Sequence, residues 1–312
     1  MITFIVPVYN GERTIEKCIK SILAQDFEKE IIAVDNNSND NTAKILQKFP
    51  VRYLLEKKRG AAAARNKGLR EINEKFTKYV VFVDADVILP HGWLKKAIRI
   101  LELSGDIVAG VGGPGKGVDK NYISRSLDRL LWYPINRNTY VNSLATMDVC
   151  YKYEIIKGTF FNEEFFMGED PEFNFQLAEK GYKLIFSPEL FVYHNHPLNF
   201  KQLIKKWYRY GQYYPLPYFK HPSQITFSFL GRLLYCPLLF IVFVGSFLYS
   251  PFKFICFPLV LVVPLTYFVI GLKIIKNNLK GLLQFIFVHS VKQYAQLFGI
   301  WKGILLGRKI LF

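Results

Sequence analysis

No aspartate or glutamate follows Glu189 in this chain of 312 residues. All 25 acidic residues therefore lie within positions 1–198, whereas 14 of the 41 Lys and Arg lie from Asn199 onward, set between long apolar runs. The first part is close to neutral, and the last 114 residues carry +14 of the formal net charge of +16. A nucleic-acid binder would interleave its cations with polar groups on a soluble domain. Cations that bracket apolar stretches instead suit a segment lying against a membrane with an anionic cytoplasmic face. A tail this rich in Phe, Leu, Ile and Val could not stay dissolved as a solvated basic arm. The division thus predicts a folded first part attached to a membrane by the second, with no nucleic-acid partner.

Before the division, short apolar runs alternate with helical spacings, as in an α/β domain. Ile2–Val8 reads as a buried strand, and Ile15, Cys18, Ile19, Ile22 and Leu23 form one face of the next helix. Residues 30–35 give a second strand, 36–40 a turn that can cap a helix, 51–55 a third strand and 60–72 a helix. Tyr79–Val83 is an apolar strand that ends on Asp84-Ala85-Asp86. A helix over 92–103, a strand over 107–111 and the run Gly112-Gly-Pro-Gly115 follow. No period selects helix or strand over residues 116–165. Order returns at Gly168-Glu-Asp170, which opens a helix that stops at Gly181, a position suited to a left-handed C-cap. Strands at 182–186 and 190–193 then lead to His194. The four cysteines, Cys18, Cys150, Cys236 and Cys256, are widely spaced and are expected to be reduced and mostly buried. The short apolar start lacks a basic leader, so the first domain is expected to stay in the cytosol.

In the tail, Phe200, Leu203, Ile204, Trp207 and Tyr208 share a helical face, with Lys201, Lys205, Lys206 and Arg209 elsewhere. Such a helix is expected to lie in the headgroup layer. Residues 233–249 and 254–272 are uncharged stretches of 17 and 19 residues, near the roughly 20 that cross a bilayer. They predict a transmembrane hairpin, and the flanking cations return both ends to the cytoplasmic side. Over 281–306, His289, Lys292, Gln293 and Gln296 form a polar stripe. That stripe suits a surface-lying or protein-packed helix, with a third span left open. The expected division is a catalytic domain over 1–198, an interfacial helix and linker over 199–224, and a membrane region over 225–312.

Three constellations carry chemistry. Asp35 ends a parallel-type strand, where open α/β sheets bind ligands, and could receive base N–H or ribose hydroxyl groups; a turn or cap role fits equally. Asp84-Ala85-Asp86 places two carboxylates where they could hold a hard divalent cation, Mn²⁺ or Mg²⁺, that bridges a diphosphate. Gly168-Glu169-Asp170 offers a carboxylate to take a proton from an attacking hydroxyl, though Asp170 before Pro171 also fits a helix N-cap.

Taken together and in order, Ile5-Val-Pro-Val-Tyr-Asn10, Val34-Asp-Asn-Asn-Ser38, Gly60 through Gly68 and Val83-Asp-Ala-Asp86 resemble the inverting family-2 glycosyltransferases of GT-A fold. Phe166-Met-Gly-Glu-Asp170, Leu177-Ala-Glu-Lys-Gly-Tyr182 and Val192-Tyr-His194 extend the resemblance across residues 2–196. It implies a Rossmann-like, mostly parallel central sheet flanked by helices. It also implies that Pro7, Tyr9, Asp35, Arg65 and Asp84 serve the nucleotide donor, and that Asp86, with Asp84, holds the metal. His194 stands where some relatives supply a further metal or phosphate contact. Asp170 would be the catalytic base, supported by Glu169. Asn36 replaces the usual second aspartate, and the Q-x-x-R-W signature of processive synthases is absent.

These readings combine into an inverting, metal-dependent transfer of one sugar from a UDP- or GDP-sugar to a lipid-linked or otherwise membrane-held acceptor. The enzyme would be integral to the membrane, its catalytic domain on the cytoplasmic face. The alternatives are a polyprenyl-phosphate sugar synthase and a catalytically silent scaffold that binds nucleotide-sugar.

Overall fold

Ile2–Val8 is buried along its whole length, which a strand achieves only inside a sheet covered on both faces. The computed structural model describes residues 1–119, 121–131, 137–248, 252–275 and 278–305. The strands are β1 Ile2–Val8, β2 Lys29–Asp35, β3 Arg52–Leu55, β4 Tyr79–Val83, β5 Val108–Gly112, β6 Gly115–Gly117, β7 Thr139–Val141, β8 Asp148–Lys152, β9 Lys183–Phe186 and β10 Val192–His194. The first helices are α1 Ile15–Leu23, α2 Thr42–Leu46, α3 Ala61–Arg70, α4 Trp93–Leu103, α5 Tyr122–Leu131, α6 Tyr153–Ile156 and α7 Glu169–Glu179. The later ones are α8 Phe200–Tyr213, α9 Leu216–Lys220, α10 Phe227–Leu248, α11 Phe252–Ile274 and α12 Leu279–Leu305.

Two units result, Met1–Val118 with Pro134–Asn195 and Asp119–Tyr133 with His196–Phe312. In the first, eight strands form a sheet in the order β3-β2-β1-β4-β8-β5-β9-β7, and β10 pairs with β6 in a small second sheet. As expected the sheet is mostly parallel, six of its eight strands sharing one direction, with two strands reversed. Strand β8 runs antiparallel between β4 and β5, and β7 runs antiparallel to β9. Both reversals come from the stretch 116–165, whose short strands carry too few residues to show a period.

Alternation along the central strands divides the core in two. Phe4, Val6, Val81 and Val83 point to the face covered by Ile15, Ile19, Trp93 and Leu94. Ile5, Val80 and Phe82 point to the face covered by Ala62, Ala64, Phe173 and Leu177. Helix α3 lies close on β1 because its sheet-facing residues are small. A Cβ on Gly68 would stand 2.6 Å from Cγ2 of Ile5, nearer than packed carbons approach. The proximity sets the depth of Arg65, three residues earlier on the same helix.

In the second unit, α8 and α12 touch backbone to backbone. Added Cβ atoms on Gly211, Gly299 and Gly303 would each lie 2.1 Å from a carbonyl oxygen of the facing helix. Leu203 of α8 is fully buried with Ile123, Leu127 and Val288. That part of its apolar face covers protein, while Ile204 on the same face stays open. Pro264 inside α11 cannot donate to the carbonyl of Val260, and the hydroxyl of Tyr294 donates to it instead.

Helices α10 and α11, of 22 and 23 residues, occupy the two apolar runs. Among the described residues no helix is long and apolar enough to cross a membrane, so the expected hairpin is not established. Residues 249–251 and the side chains at the facing ends of the two helices lie outside the described residues. Cys18 and Cys150 are free and buried as expected; the side chains of Cys236 and Cys256 lie outside the described residues.

Candidate active site

Asp35 closes β2 and Asp84 follows β4, so both stand at the carboxyl edge of the parallel half of the sheet, where α/β sheets gather ligands. Asp35 is only 2% exposed. Its Oδ1 accepts from the Ser38 amide at 2.9 Å, and its Oδ2 accepts from the Tyr53 hydroxyl at 3.0 Å. The Asn36 amide donates to the carbonyls of Glu56 and Lys58 and accepts from the Gly60 amide. An aspartate could not donate to those carbonyls, which accounts for the departure at this position: Asn36 pins the loop that enters α3. Pro7 is buried in β1, past the end of the β1–β4 ladder, where its missing N–H costs nothing. Tyr9 is 42% exposed, and the Arg59 guanidinium lies 4.1 Å above its ring.

Arg65 gathers the chemistry. Its Nη2 donates to Asp84 Oδ1 at 2.9 Å, and its Nη1 donates to Glu169 Oε1 at 2.8 Å and Asp170 Oδ1 at 3.2 Å. The side chain is 4% exposed. Burial by itself would make the guanidinium easier to deprotonate, but Asp170, Asp84 and Glu169 outweigh that and raise its pKa. Each ion pair contributes on the order of a few kcal/mol at an effective dielectric of about 20, so three together overcome the loss of one cation's hydration. The sequence placed Arg65 beside Asp35 on the nucleobase side. The structure places its guanidinium on Asp84, Glu169 and Asp170.

Gly168 is the N-cap of α7, in a left-handed conformation with φ of +92°, and Glu169 begins the helix. Asp170 therefore belongs to the first turn and is not the cap, and its charge is favoured there by the helix dipole. The carboxylate accepts from the Thr146 amide at 3.2 Å and from the Thr146 hydroxyl. Its side chain remains 26% exposed. Burial raises the pKa of Asp170, opposed by Arg65 and Thr146; burial and the neighbouring Asp170 raise that of Glu169. A raised carboxylate pKa makes a stronger base near neutral pH.

Several supporting residues carry no sequence signal of their own. Asn174 on α7 donates to the Leu144 carbonyl at 2.8 Å and the Ser143 hydroxyl at 3.1 Å, fixing the loop that presents Thr146. Asn66 bonds Phe161 through both ends of its amide and donates to Glu163. Thr146 and Glu163 lie in the stretch without a readable period. Asp148, an acid in the apolar strand β8, is buried, and burial together with Asp84 raises its pKa well above the usual range. It accepts from the Gly113 amide at 3.1 Å.

Asp86 and His194 come together because residue 88 bridges residue 193 across the end of β10. Their Oδ2 and Nε2 atoms are 3.5 Å apart. Among the described residues no group of three or more His, Cys, Asp or Glu could hold a metal ion. A carboxylate and an imidazole, both partly open, do fit a divalent cation that takes its remaining ligands from phosphate and water.

Residues 3–157 match the family profile "Glycosyl transferase family 2". The chain is 26% identical over 229 residues to glycosyltransferase AglE of Haloferax volcanii, covering 68% of this chain and 72% of that protein. It is also 26% identical over 237 residues to a dolichyl N-acetyl-α-D-glucosaminyl phosphate 3-β-D-2,3-diacetamido-2,3-dideoxy-β-D-glucuronosyltransferase of Methanococcus voltae, covering 67% and 71%. In fold it is similar to mannosyltransferase PcManGT of Pyrobaculum calidifontis, solved with GDP-Man and Mn²⁺. The TM-score is 0.62 at 18% identity, over 97% of this chain and 86% of that one. With Asp35, Asp84 and Asp170 set on a mixed sheet of this kind, residues 3–157 are a family-2 glycosyltransferase domain and the chain is a glycosyltransferase.

Proposed function

We propose that the enzyme transfers one sugar, with inversion, from a nucleoside diphosphate sugar to a hydroxyl of a membrane-held, lipid-linked acceptor. The observation that carries this reading is the bridge made by Arg65. One guanidinium fixes Asp84, on the donor side, against Asp170 and Glu169, on the acceptor side. Pro7, Tyr9 and Asp35 line the donor edge, with the exposed Tyr9 ring offering a stacking surface for the base. Asp86, Asp84 and His194 would hold Mn²⁺ or Mg²⁺, which when bound neutralises charge on the departing diphosphate.

Asp170 accepts the proton of the attacking hydroxyl as its oxygen bonds to the anomeric carbon. The bond from that carbon to the diphosphate oxygen breaks, and its electron pair leaves with the nucleotide. Thr146 and Arg65 hold the carboxylate in line, and Glu169, bonded to the same guanidinium, supports the acceptor side. Attachment to a membrane is supported by apolar side chains left open on α10 and α11, among them Leu234, Ile241, Val262, Leu265 and Val269. Positive charge in the same unit supports placing it on a cytoplasmic face. A lipid-linked acceptor is supported by the activity named for the Methanococcus relative.

Asp170→Asn tests the reading. Transfer should fall by about two to four orders of magnitude, while calorimetric binding of the donor nucleotide stays within a few fold of wild type. Transfer above a tenth of wild type would remove Asp170 from the role of base. It would turn the reading toward a phosphate acceptor, which arrives already ionised.

A further inference from the structure

In the second unit, a cavity of about 260 Å³ lies between α5 and the first turn of α12. Its lining includes Tyr122, Arg125, Arg129, Asn278, Lys280 and Gln284, and it contains no carboxylate. Tyr122, Arg125 and Arg129 fall at spacings of three and four residues, so a single stripe of α5 faces the cavity. The opposite wall is the start of a helix of 27 residues. There the amide of Gly281 donates to Asn278 Oδ1 at 2.8 Å. The absent side chain of Gly281 leaves room for Arg129, whose Nη1 would stand 3.2 Å from a Cβ at that position.

Three cations and the positive end of a helix dipole thus converge on one small space. Among the described residues none of Arg125, Arg129 and Lys280 forms an ion pair. The unit offers little to neutralise them, with 17 Lys and Arg against only Asp119 and Asp128. Solvation alone would let such side chains spread apart. Here the walls are fixed, because His289 of α12 bonds the Ser126 carbonyl of α5 at 2.9 Å and Leu130 packs against Leu282 and Phe285.

We propose that this cavity is a phosphate-binding site, taking a phosphomonoester or diphosphate group. Its volume lies below the roughly 300–1,000 Å³ of sites that enclose whole drug-sized ligands, so it suits a headgroup or small anion and not a nucleotide-sugar. Arginine, whose planar fork of N–H donors matches phosphate oxygens, supplies two of the three cations, and the helix start adds its dipole, its Gly281 amide being already bonded to Asn278. The phosphate could belong to a membrane lipid or to a soluble anion. The inference is independent of the role given to Asp170, and its readout is binding, not transfer.

The test uses the full chain in detergent or on vesicles. Pyrophosphate is the soluble probe; phosphatidylcholine vesicles with and without phosphatidic acid are the lipid probe. Arg125→Gln/Arg129→Gln/Lys280→Gln is compared with Lys201→Gln/Lys205→Gln/Lys273→Gln, which removes equal charge from exposed positions of the same unit. Should the first triple variant not fold, Lys280→Gln alone replaces it, with a several-fold loss expected. Loss of pyrophosphate affinity by tenfold or more in the cavity variant alone identifies a soluble phosphate site. A tenfold loss confined to phosphatidic acid vesicles, again in the cavity variant alone, identifies a lipid headgroup site. Equal losses in both triple variants, or no binding of either probe by wild type, would overturn the proposal.

Discussion

The two units solve opposite charge problems. In the first, one buried arginine holds three carboxylates within 3.2 Å and supplies their nearest counter-charge from within the fold. In the second, Arg125, Arg129 and Lys280 line a cavity with no carboxylate. A cluster that carries its own counter-charge is a fixed piece of machinery, rigid before substrate arrives. A cavity that lacks one is completed only from outside. Removing the internal counter-charge should therefore hurt far more than removing any cation of the second unit. Arg65→Met should destabilise the enzyme by about 3–5 kcal/mol, the usual cost of stranding buried charge, and abolish transfer. Urea unfolding would check it, and a loss under about 1 kcal/mol would mean that the three carboxylates relax into solvent. The loss should shrink as pH falls, because protonating Asp170 and Glu169, whose pKa values burial already raises, removes the repulsion.

The same contrast explains what the sequence made legible. The strands β1, β2 and β4 announced themselves because seven or five consecutive buried residues leave few other ways to fold, and Asp35 and Asp84 were found as the residues that end them. Asp170 was visible through its order relative to those strands. Its partner was not: nothing in the spacing says that Arg65 reaches across 104 and 105 residues to Glu169 and Asp170. The reversal of β8 was also hidden, since five residues cannot report direction. In the tail, hydropathy located α10, α11 and α12 but was silent on which helix faces touch. The close crossing of α8 and α12 depends on three glycines, residues that contribute nothing to a hydrophobic pattern.

Those glycines sharpen the comparison, because the second unit depends on missing atoms where the first depends on present charges. Gly299→Ala would put a methyl 2.1 Å from the Tyr208 carbonyl oxygen. The helices must then separate, at a cost of about 1–3 kcal/mol. Gly231, on α10, has nothing within 4 Å of the same added atom. Gly231→Ala should instead gain about 0.5–1 kcal/mol from helix propensity. Thermal unfolding of both variants in one detergent checks the pair. Shifts of the same sign would show that the crossing at Gly299 is looser than these distances.

The smallest effect expected separates the units by acid response. Glu163, in the loop that leads to Gly168, accepts from Asn66 at 2.8 Å, from Lys58 at 2.8 Å and from Arg70 at 3.3 Å. The Asn66 bond, then Lys58, draws its pKa down to about 2. A depressed carboxylate stabilises the fold fully above its unfolded value of about 4.3 and loses that contribution as pH falls through the folded value. Glu163→Gln should therefore cost about 1 kcal/mol above pH 5, after allowing for solvent screening of the partly open Lys58 and Arg70 pairs. The cost should shrink across the interval from about pH 4 to pH 2. From Asn199 onward the chain has no acidic side chain to titrate, so helical signal from α8, α10, α11 and α12 should change little over that interval. Stability curves measured from pH 2 to pH 7 decide it. If wild type and Glu163→Gln run parallel throughout, Glu163 is not the group that titrates, and its bond to Asn66 only positions the loop.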